Sequence, residues 1–288
     1  MFSSMSTFRK VSLAMAAGGV YGVATYMTYR HFQSLQQQEK ASPNQDVFAA
    51  TYRNAQYQKI ADSYDDRIDK DEFFMGINIL RRWLISRHAK GDVLEVGAGT
   101  GRNIPYYLKN SNVIRRVVLS DASSQMLQQA QLKVQQHQQG KQTTRPQFAF
   151  MHADAMSLGD TGQSNRPTLP DNSFDTVIDT FGLCSYQDPV AVVKEMVRLC
   201  KKPSVTKADQ QGGVILLLEH GRSKSWSFVT NHLDKYACQH AANWGCIWNR
   251  DLDKILQECE NELEILALYT WHFGTTYYIV AQPKSQMS

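Results

Sequence analysis

Short apolar runs alternate with amphipathic or polar segments between residues 93 and 218. The runs occupy 93–96, 117–119, 148–151, 176–179 and 212–218. Continuous apolar runs are typical of strands buried on both faces, and strands that alternate with helices predict a mainly parallel sheet covered on both sides. Two later runs, 263–269 and 275–281, predict an antiparallel C-terminal pair. The pattern therefore predicts an α/β fold with a mainly parallel, seven-stranded sheet.

The helical pattern is clearest from Glu72 to His88. Phe73, Ile77, Leu80 and Leu84 form one apolar stripe. Further helices are predicted near 103–109, 125–139, from 188 and over 231–240, and Arg81, Arg82 and Arg87 are assigned to the polar face of Glu72–His88.

The N-terminal pattern is different, because Val11–Tyr29 holds 19 residues without a charge. At about 1.5 Å per residue a helix of this length spans roughly 28 Å, close to the thickness of a bilayer core. We predict a targeting segment (1–10), a single transmembrane helix (11–29), a linker (30–59) and a catalytic domain (60–288). Ala14, Gly18 and Gly22 form a small-residue face that could contact another helix.

A cleaved secretory signal and a soluble helix are the alternatives for this segment. No acidic residue precedes Glu39, which favours mitochondrial import. We therefore expect the mitochondrial inner membrane, with the endoplasmic reticulum membrane as the alternative. Basic residues flank both ends of the span, so its orientation stays open.

The composition argues against several kinds of partner and site. The net charge is +4, of which residues 1–40 carry +3. The remaining chain is nearly neutral and has no basic stripe, so no nucleic-acid partner is predicted. The five cysteines are an odd number and lack C-x-x-C spacing, which argues against a disulfide framework and against a metal site.

The segment with the most chemical information is Asp92–Arg102, in which a short strand runs into the glycine-rich turn Gly97-Ala98-Gly99-Thr100-Gly101. Such a turn lets a ligand approach bare backbone, and the following helix presents its N-terminus. The spacing is G-x-G-x-G. A dinucleotide fingerprint, G-x-G-x-x-G, would need a glycine at Arg102. Glu95, at the strand end, could accept hydrogen bonds from a ligand amino group.

Acidic residues also follow the next two strands. Asp121 ends the second strand, where a carboxylate can accept both ribose hydroxyls; it could also cap the next helix. Ala122 follows it. Asp154 and Ala155 follow the third strand and could contact an adenine ring. Phe181 comes after the fourth strand, at the sheet edge where open α/β folds bind ligands.

Together these motifs resemble the class I S-adenosylmethionine (SAM) methyltransferases of the ubiquinone/menaquinone-biosynthesis type, which have a Rossmann-like fold. The ordered set is Glu95–Gly101, Asp121, Asp154-Ala155, Leu169–Val177 and Lys202-Pro203 before Gly212-Gly213. One departure is a polar insert, 204–211, in the turn before the fifth strand. The resemblance implies that Glu95 and Gly97–Gly101 hold the methionine part of SAM, Asp121 the ribose, and Asp154 with Ala155 the adenine, and that Ala122 is a further cofactor-binding residue. It also implies that Phe181 lines the methyl and substrate side.

The C-terminal part should contain the acceptor site. His220, His240 and the cluster Trp244–Asp251 are similar to a membrane-anchored subgroup, the fungal mitochondrial inner-membrane methyltransferases and animal thiol methyltransferases. His220 and His240 are candidate general bases, although a packing role is the alternative for each. Tyr64, before the domain, could cover the cofactor or simply pack.

We therefore predict a SAM-dependent methyltransferase whose acceptor is a small hydrophobic molecule such as a quinone precursor, a lipid or a thiol. The alternative is a SAM-binding assembly or chaperone protein of the mitochondrial inner membrane that does not need turnover.

Overall fold

The computed structural model describes residues 49–139, 146–158, 168–203 and 212–285. The predicted targeting segment, the transmembrane helix with Ala14, Gly18 and Gly22, most of the linker and the 204–211 insert lie outside these residues. Within the described part, no helix has both the length and the apolar character needed to cross a membrane.

A seven-stranded sheet forms the centre of the molecule. Its strands are β1 (Gly91–Val96), β2 (Ile114–Asp121), β3 (Gln147–His152), β4 (Thr176–Thr180), β5 (Val214–His220), β6 (Leu263–Trp271) and β7 (Thr276–Pro283). The spatial order is β3-β2-β1-β4-β5-β7-β6. The first five strands are parallel, and β7 pairs antiparallel with both β5 and β6. The predicted mainly parallel sheet with its antiparallel C-terminal pair is confirmed.

The order of the strands places a crevice in the sheet. The chain runs outward from β1 to β2 and β3, then returns to lay β4 on the other side of β1. Connections therefore leave β1 and β4 in opposite directions, and a crevice opens at their carboxyl ends.

Both faces of the sheet are buried, as the continuous apolar runs require. Val93 packs into the core on one face, whereas Leu94 and Val96 pack into the core on the other. The side chains of β1 thus alternate between two cores and hold the strand end, with the glycine turn, in a fixed position.

The helices that cover the sheet are α1 (Ala50–Ile60), α2 (Tyr64–Phe74), α3 (Ile77–His88), α4 (Ile104–Lys109), α5 (Ser124–Gln138), α6 (Pro189–Leu199), α7 (Ser227–Lys235), α8 (Ala237–Trp244) and α9 (Leu252–Glu258). Several of them differ from the prediction. Helix α1 occupies the end of the predicted linker, the 231–240 segment is divided between α7 and α8, and α9 was not predicted.

The prediction of one continuous helix from Glu72 to His88 is wrong. Gly76 adopts a left-handed conformation (φ 67°) and separates α2 from α3. Phe73 falls on the far side of this break and is 71% exposed, while Leu84 is fully buried. The prediction for Arg81 is also wrong, since this residue is only 3% exposed. A buried guanidinium is stable here because polar side chains from three segments surround it.

Candidate active site

A cleft opens at the carboxyl ends of β1, β2, β3 and β4, and most of the predicted cofactor residues line it. These residues are Glu95, Gly97, Ala98, Gly99, Asp121, Ala122, Asp154, Ala155 and Phe181. The fold thus brings together side chains that lie up to 86 residues apart in the sequence. Gly101 does not line the cleft.

The glycines of the turn have different tasks. Gly99 has φ 54°, and a Cβ added there would meet nothing within 4 Å, so the cleft beside it is open to a ligand. Gly101 has φ 76°, and a Cβ there would lie 2.4 Å from Ile104 Cδ1 and 3.0 Å from Ala130 Cβ. Gly99 therefore presents bare backbone to the cleft, whereas Gly101 lets α4 and α5 pack close to the turn.

Asp121 is tied to the glycine turn. One carboxylate oxygen accepts a hydrogen bond from the Gly99 amide at 2.8 Å, and the other accepts from the Ser123 amide at 2.8 Å. Burial raises the pKa of Asp121, although these two amides act against the shift. The alternative role predicted for Asp121, capping the next helix, belongs to Ser123, whose hydroxyl accepts from the Met126 amide at the start of α5. Asp121 is therefore placed to orient the turn and to face a ligand.

Glu95 lies at the bottom of the cleft and is 2% exposed. Its carboxylate accepts hydrogen bonds from Asn103 Nδ2 and from the Tyr107 hydroxyl, both at 2.8 Å. Burial raises its pKa to about 7 despite these donors. A cationic ligand group beside Glu95 would favour the ionised form, because opposite charges lower the pKa of a carboxyl group.

Asp154 lies at the rim, at the end of β3. Its Oδ1 accepts from the Met156 amide at 2.9 Å, which closes a local turn. The neighbouring Ala155 is buried, and both residues line the cleft. The strand order places them two strands away from Glu95, with Asp121 on the strand between.

Helix α2 covers the glycine turn through a charged network. Arg102 forms ion pairs with Asp65 at 3.2 Å, Asp69 at 2.7 Å and Glu72 at 2.8 Å. Glu72 also pairs with the buried Arg81 at 2.8 Å. Asp65 in turn accepts from Thr100 Oγ1 at 2.6 Å. The residue before it, Tyr64, lines the cleft and also contacts the Tyr57 and Trp244 rings, so its role as a cover stays a prediction.

Arg81 connects this network to the strand ends. Its guanidinium donates to Thr180 Oγ1 at 2.7 Å and to Asn103 Oδ1 at 3.2 Å. It also lies 5.0 Å from the centre of the Phe181 ring. Phe181 has φ 60°, a strained conformation for a bulky residue, and such strain concentrates at functional sites. The sequence pattern assigned Arg81 to solvent because its partners are distant in the chain.

Three further aromatic and acidic residues at the site were not predicted. Tyr57 and Tyr186 line the cleft, and a Cβ on Gly97 would lie 2.2 Å from the Tyr186 hydroxyl. Asp179, fully buried below Gly182, has a pKa raised well above its usual value by burial. Its position as a lone acidic residue near the end of the buried strand β4 is the one signal that the sequence offered.

The candidate bases His220 and His240 do not line the cleft. His220 Nε2 lies 3.0 Å from Cys246 Sγ, and its ring contacts Phe181 with a centroid distance of 5.5 Å. His240 is stacked on Trp248 at 4.1 Å. His220 therefore lies behind Phe181 and His240 packs against Trp248, and their catalytic roles stay predictions.

Comparison with known proteins identifies the domain. A family model described as a methyltransferase domain matches residues 94–206. The chain therefore carries a methyltransferase domain over these residues. It is similar to the mitochondrial methyltransferase OMS1 of Saccharomyces cerevisiae, with 32% identity over 249 residues. The alignment covers 85% of this chain and 49% of the yeast protein, so the chain spans about half the length of that relative.

Two more comparisons agree with this methyltransferase domain. The ubiquinone/menaquinone biosynthesis C-methyltransferase UbiE of Hahella chejuensis is 28% identical over 193 residues, covering 65% of this chain and 68% of that protein. An O-methyltransferase family structure from Burkholderia thailandensis gives a TM-score of 0.58 at 14% identity, covering 93% of this chain and 73% of that chain. At this identity the structure shows the shared fold alone.

SAM is therefore the cofactor of the methyltransferase domain, and the cleft fits its chemistry. The open space at Gly99 suits a ligand that contacts backbone. Buried Glu95 offers a carboxylate where an ammonium group can be neutralised, and Asp121 offers one where hydroxyls can donate. These groups follow one another along the cleft, as the parts of SAM do.

Proposed function

We propose that the protein is a SAM-dependent methyltransferase that acts on a small hydrophobic or membrane-associated acceptor. The observation that carries the proposal is the convergence of Glu95, Asp121 and Asp154 on one cleft beside the glycine turn. In this reading Glu95 and Gly97–Gly99 hold the methionine part, Asp121 with Ala122 the ribose, and Asp154 with Ala155 the adenine.

Bound SAM supplies a methyl group already activated by the sulfonium charge. The protein's contribution is then mainly to position the acceptor and to exclude water. Tyr57, Phe181 and Tyr186 line the cleft and form what is called here the aromatic wall. A base is needed only where the acceptor must lose a proton, and His220 and His240 are the candidates from sequence.

The acceptor classes are a quinone precursor, a lipid or a thiol. The aromatic wall supports a hydrophobic acceptor, and one relative is a C-methyltransferase of quinone biosynthesis.

Another relative is mitochondrial, which supports a location at the mitochondrial inner membrane through residues 11–29. Removal of residues 11–29 should release the protein from membrane fractions. If the full chain instead co-fractionates with endoplasmic reticulum membranes, the alternative location is favoured.

Calorimetric titration with SAM and with S-adenosylhomocysteine tests the cofactor site. Asp121→Ala should weaken binding by about 10- to 100-fold, since hydrogen bonds to charged groups contribute about 1.5–3 kcal/mol. Asp171→Ala is the matched control, because Asp171 pairs with Arg198 away from the cleft. An absence of heat with the folded wild-type chain would overturn the proposal.

Transfer itself is tested with methyl-labelled SAM. The purified chain is incubated with lipid, quinone and thiol fractions of the source cells, and labelled products are separated by mass spectrometry. Label in one fraction, lost in Asp121→Ala, names the acceptor class. Tight SAM binding without transfer to any fraction would instead favour the assembly or chaperone role.

A further inference from the structure

Two cysteines and a histidine meet behind the aromatic wall, outside the cofactor residues. The ligating atoms of Cys184, His220 and Cys246 all lie within 4.8 Å of one another, and His220 Nε2 is 3.0 Å from Cys246 Sγ. Both cysteines are buried and His220 is half-buried. Within the part of the chain that the structure describes, no other cysteine, histidine or carboxylate belongs to this group.

The backbone holds the three residues together independently of their side chains. The Ile247 amide donates to the Cys184 carbonyl at 2.9 Å, which fixes the two cysteine segments side by side. The Arg222 amide donates to the Arg250 carbonyl at 2.8 Å and joins the chain after His220 to the chain after Cys246. Gly221 permits this approach, because a Cβ there would lie 2.7 Å from the Arg250 carbonyl oxygen.

The donor set is that of a zinc site. Sulfur and imidazole ligands bind Zn²⁺ at about 2.3 and 2.0–2.1 Å, so two ligands of a tetrahedral ion are about 3.5 Å apart. The separation of 3.0 Å and the limit of 4.8 Å lie on either side of that value. Small side-chain movements would therefore complete the geometry. Three protein donors also leave one position of the tetrahedron for water or another ligand, as in catalytic zinc sites.

The cluster of Cys184, His220 and Cys246 lies close to the cleft. Ser185 lines the cleft, and its hydroxyl is 3.5 Å from Cys184 Sγ and 2.6 Å from the Tyr57 hydroxyl. Phe181, on the same wall, packs against the His220 ring. The cluster is thus separated from the proposed acceptor side by a single layer of side chains.

We infer that Cys184, His220 and Cys246 form a binding site for Zn²⁺ or a similar borderline-soft ion, placed directly behind the acceptor wall. The sequence argument against a metal site depended on C-x-x-C spacing. That spacing is absent because the three ligands come from three separate segments that only the fold brings together.

Cobalt substitution tests the site. Co²⁺ is titrated into the purified, reduced, metal-stripped full chain, and thiolate-to-cobalt charge-transfer bands and tetrahedral d–d bands are recorded. One equivalent should saturate the bands, and Zn²⁺ should displace the cobalt. Cys184→Ser, Cys246→Ser and His220→Asn should each weaken cobalt binding by more than the roughly 10- to 100-fold that loss of an outer-shell partner costs.

Cys238→Ser is the matched control, since Cys238 is an exposed thiol away from the cluster, and its bands should equal those of the wild type. Circular dichroism checks that each variant is folded. The inference is overturned if the folded, reduced wild type gives no bands, or if the bands survive in all three ligand variants. It is also overturned if mass spectrometry finds a Cys184–Cys246 disulfide and the reduced protein still takes up no cobalt. Because cobalt is read without SAM, these outcomes are independent of methyl transfer.

Discussion

Two glycines of the turn have different roles, Gly99 in ligand binding and Gly101 in packing. The Gly99 position opens on the cleft, while the Gly101 position is closed by Ile104 and Ala130. Both residues have positive φ, so the difference lies in their surroundings.

Alanine substitutions should separate these two tasks. Gly101→Ala combines a left-handed backbone, at about 1–2 kcal/mol, with overpacking, at about 1–3 kcal/mol, so we expect marked destabilisation in denaturant titration. Gly99→Ala should lose about 1–2 kcal/mol of stability but about 10-fold in SAM affinity, because its methyl group would occupy the cleft. Equal SAM affinity in Gly99→Ala and the wild type would argue against backbone contact there.

Glu95 should make the ligand-free protein less stable as the pH rises. Its pKa in the folded state is about 7, above the ordinary glutamate value of 4.5. The folded state therefore binds the proton more tightly, and this contribution, on the order of 3 kcal/mol, is complete below about pH 4.5 and lost as the pH rises through 7. Thermal unfolding of Glu95→Gln between pH 5 and 8 should show a smaller decrease than the wild type. Glu260→Gln, at an exposed position, should follow the wild type.

At the level of elements, the main feature is the attachment of α2 to the glycine turn. The helix is short and has little apolar contact of its own, since Phe73 and Phe74 are both exposed. Its position depends on Arg102, which contacts three of its acidic side chains.

Arg102→Met should therefore loosen α2 while leaving the sheet intact. We expect faster hydrogen exchange over 64–74 and a SAM dissociation rate about 10-fold higher, because an ion-pair network of this kind contributes about 1–2 kcal/mol. Lys70→Met, on the exposed face of the same helix, is the control. Unchanged exchange in Arg102→Met would show that packing alone holds α2 in place.

At the scale of the whole molecule, the binding site exists only when the sheet is assembled. Glu95, Asp121 and Asp154 end three different strands, so the unfolded chain has no such site. Ligand binding and folding are therefore linked.

S-adenosylhomocysteine at about 100 times its Kd should add about 2.7 kcal/mol to the free energy of unfolding, or about 5–10 °C to Tm for a domain of this size. Differential scanning fluorimetry checks this value. Asp121→Ala should show a much smaller shift at the same ligand concentration, and Asp171→Ala the full one. A full shift in Asp121→Ala would remove that residue from the site.

The local pattern was sufficient for the sheet and for the positions of Glu95, Asp121 and Asp154 along one cleft. Apolar runs predict buried strands directly, since burial on both faces disfavours polar side chains that lack hydrogen-bond partners. The glycine turn and the carboxylates follow their strands at once, so strand positions determine theirs. The break at Gly76 could not be predicted in this way, because the apolar positions in the sequence continue across it.

Only the tertiary structure decided what lies around that cleft. Arg81 is buried because Glu72, Thr180 and Asn103 surround it, and the cluster of Cys184, His220 and Cys246 draws on three segments. The sequence by itself determined the strands, the glycine turn and the acidic residues that follow them, because each depends on neighbours within a few positions. The placement of Arg81, of helix α2 and of the thiol–imidazole cluster depends on contacts between distant segments, which no local pattern encodes.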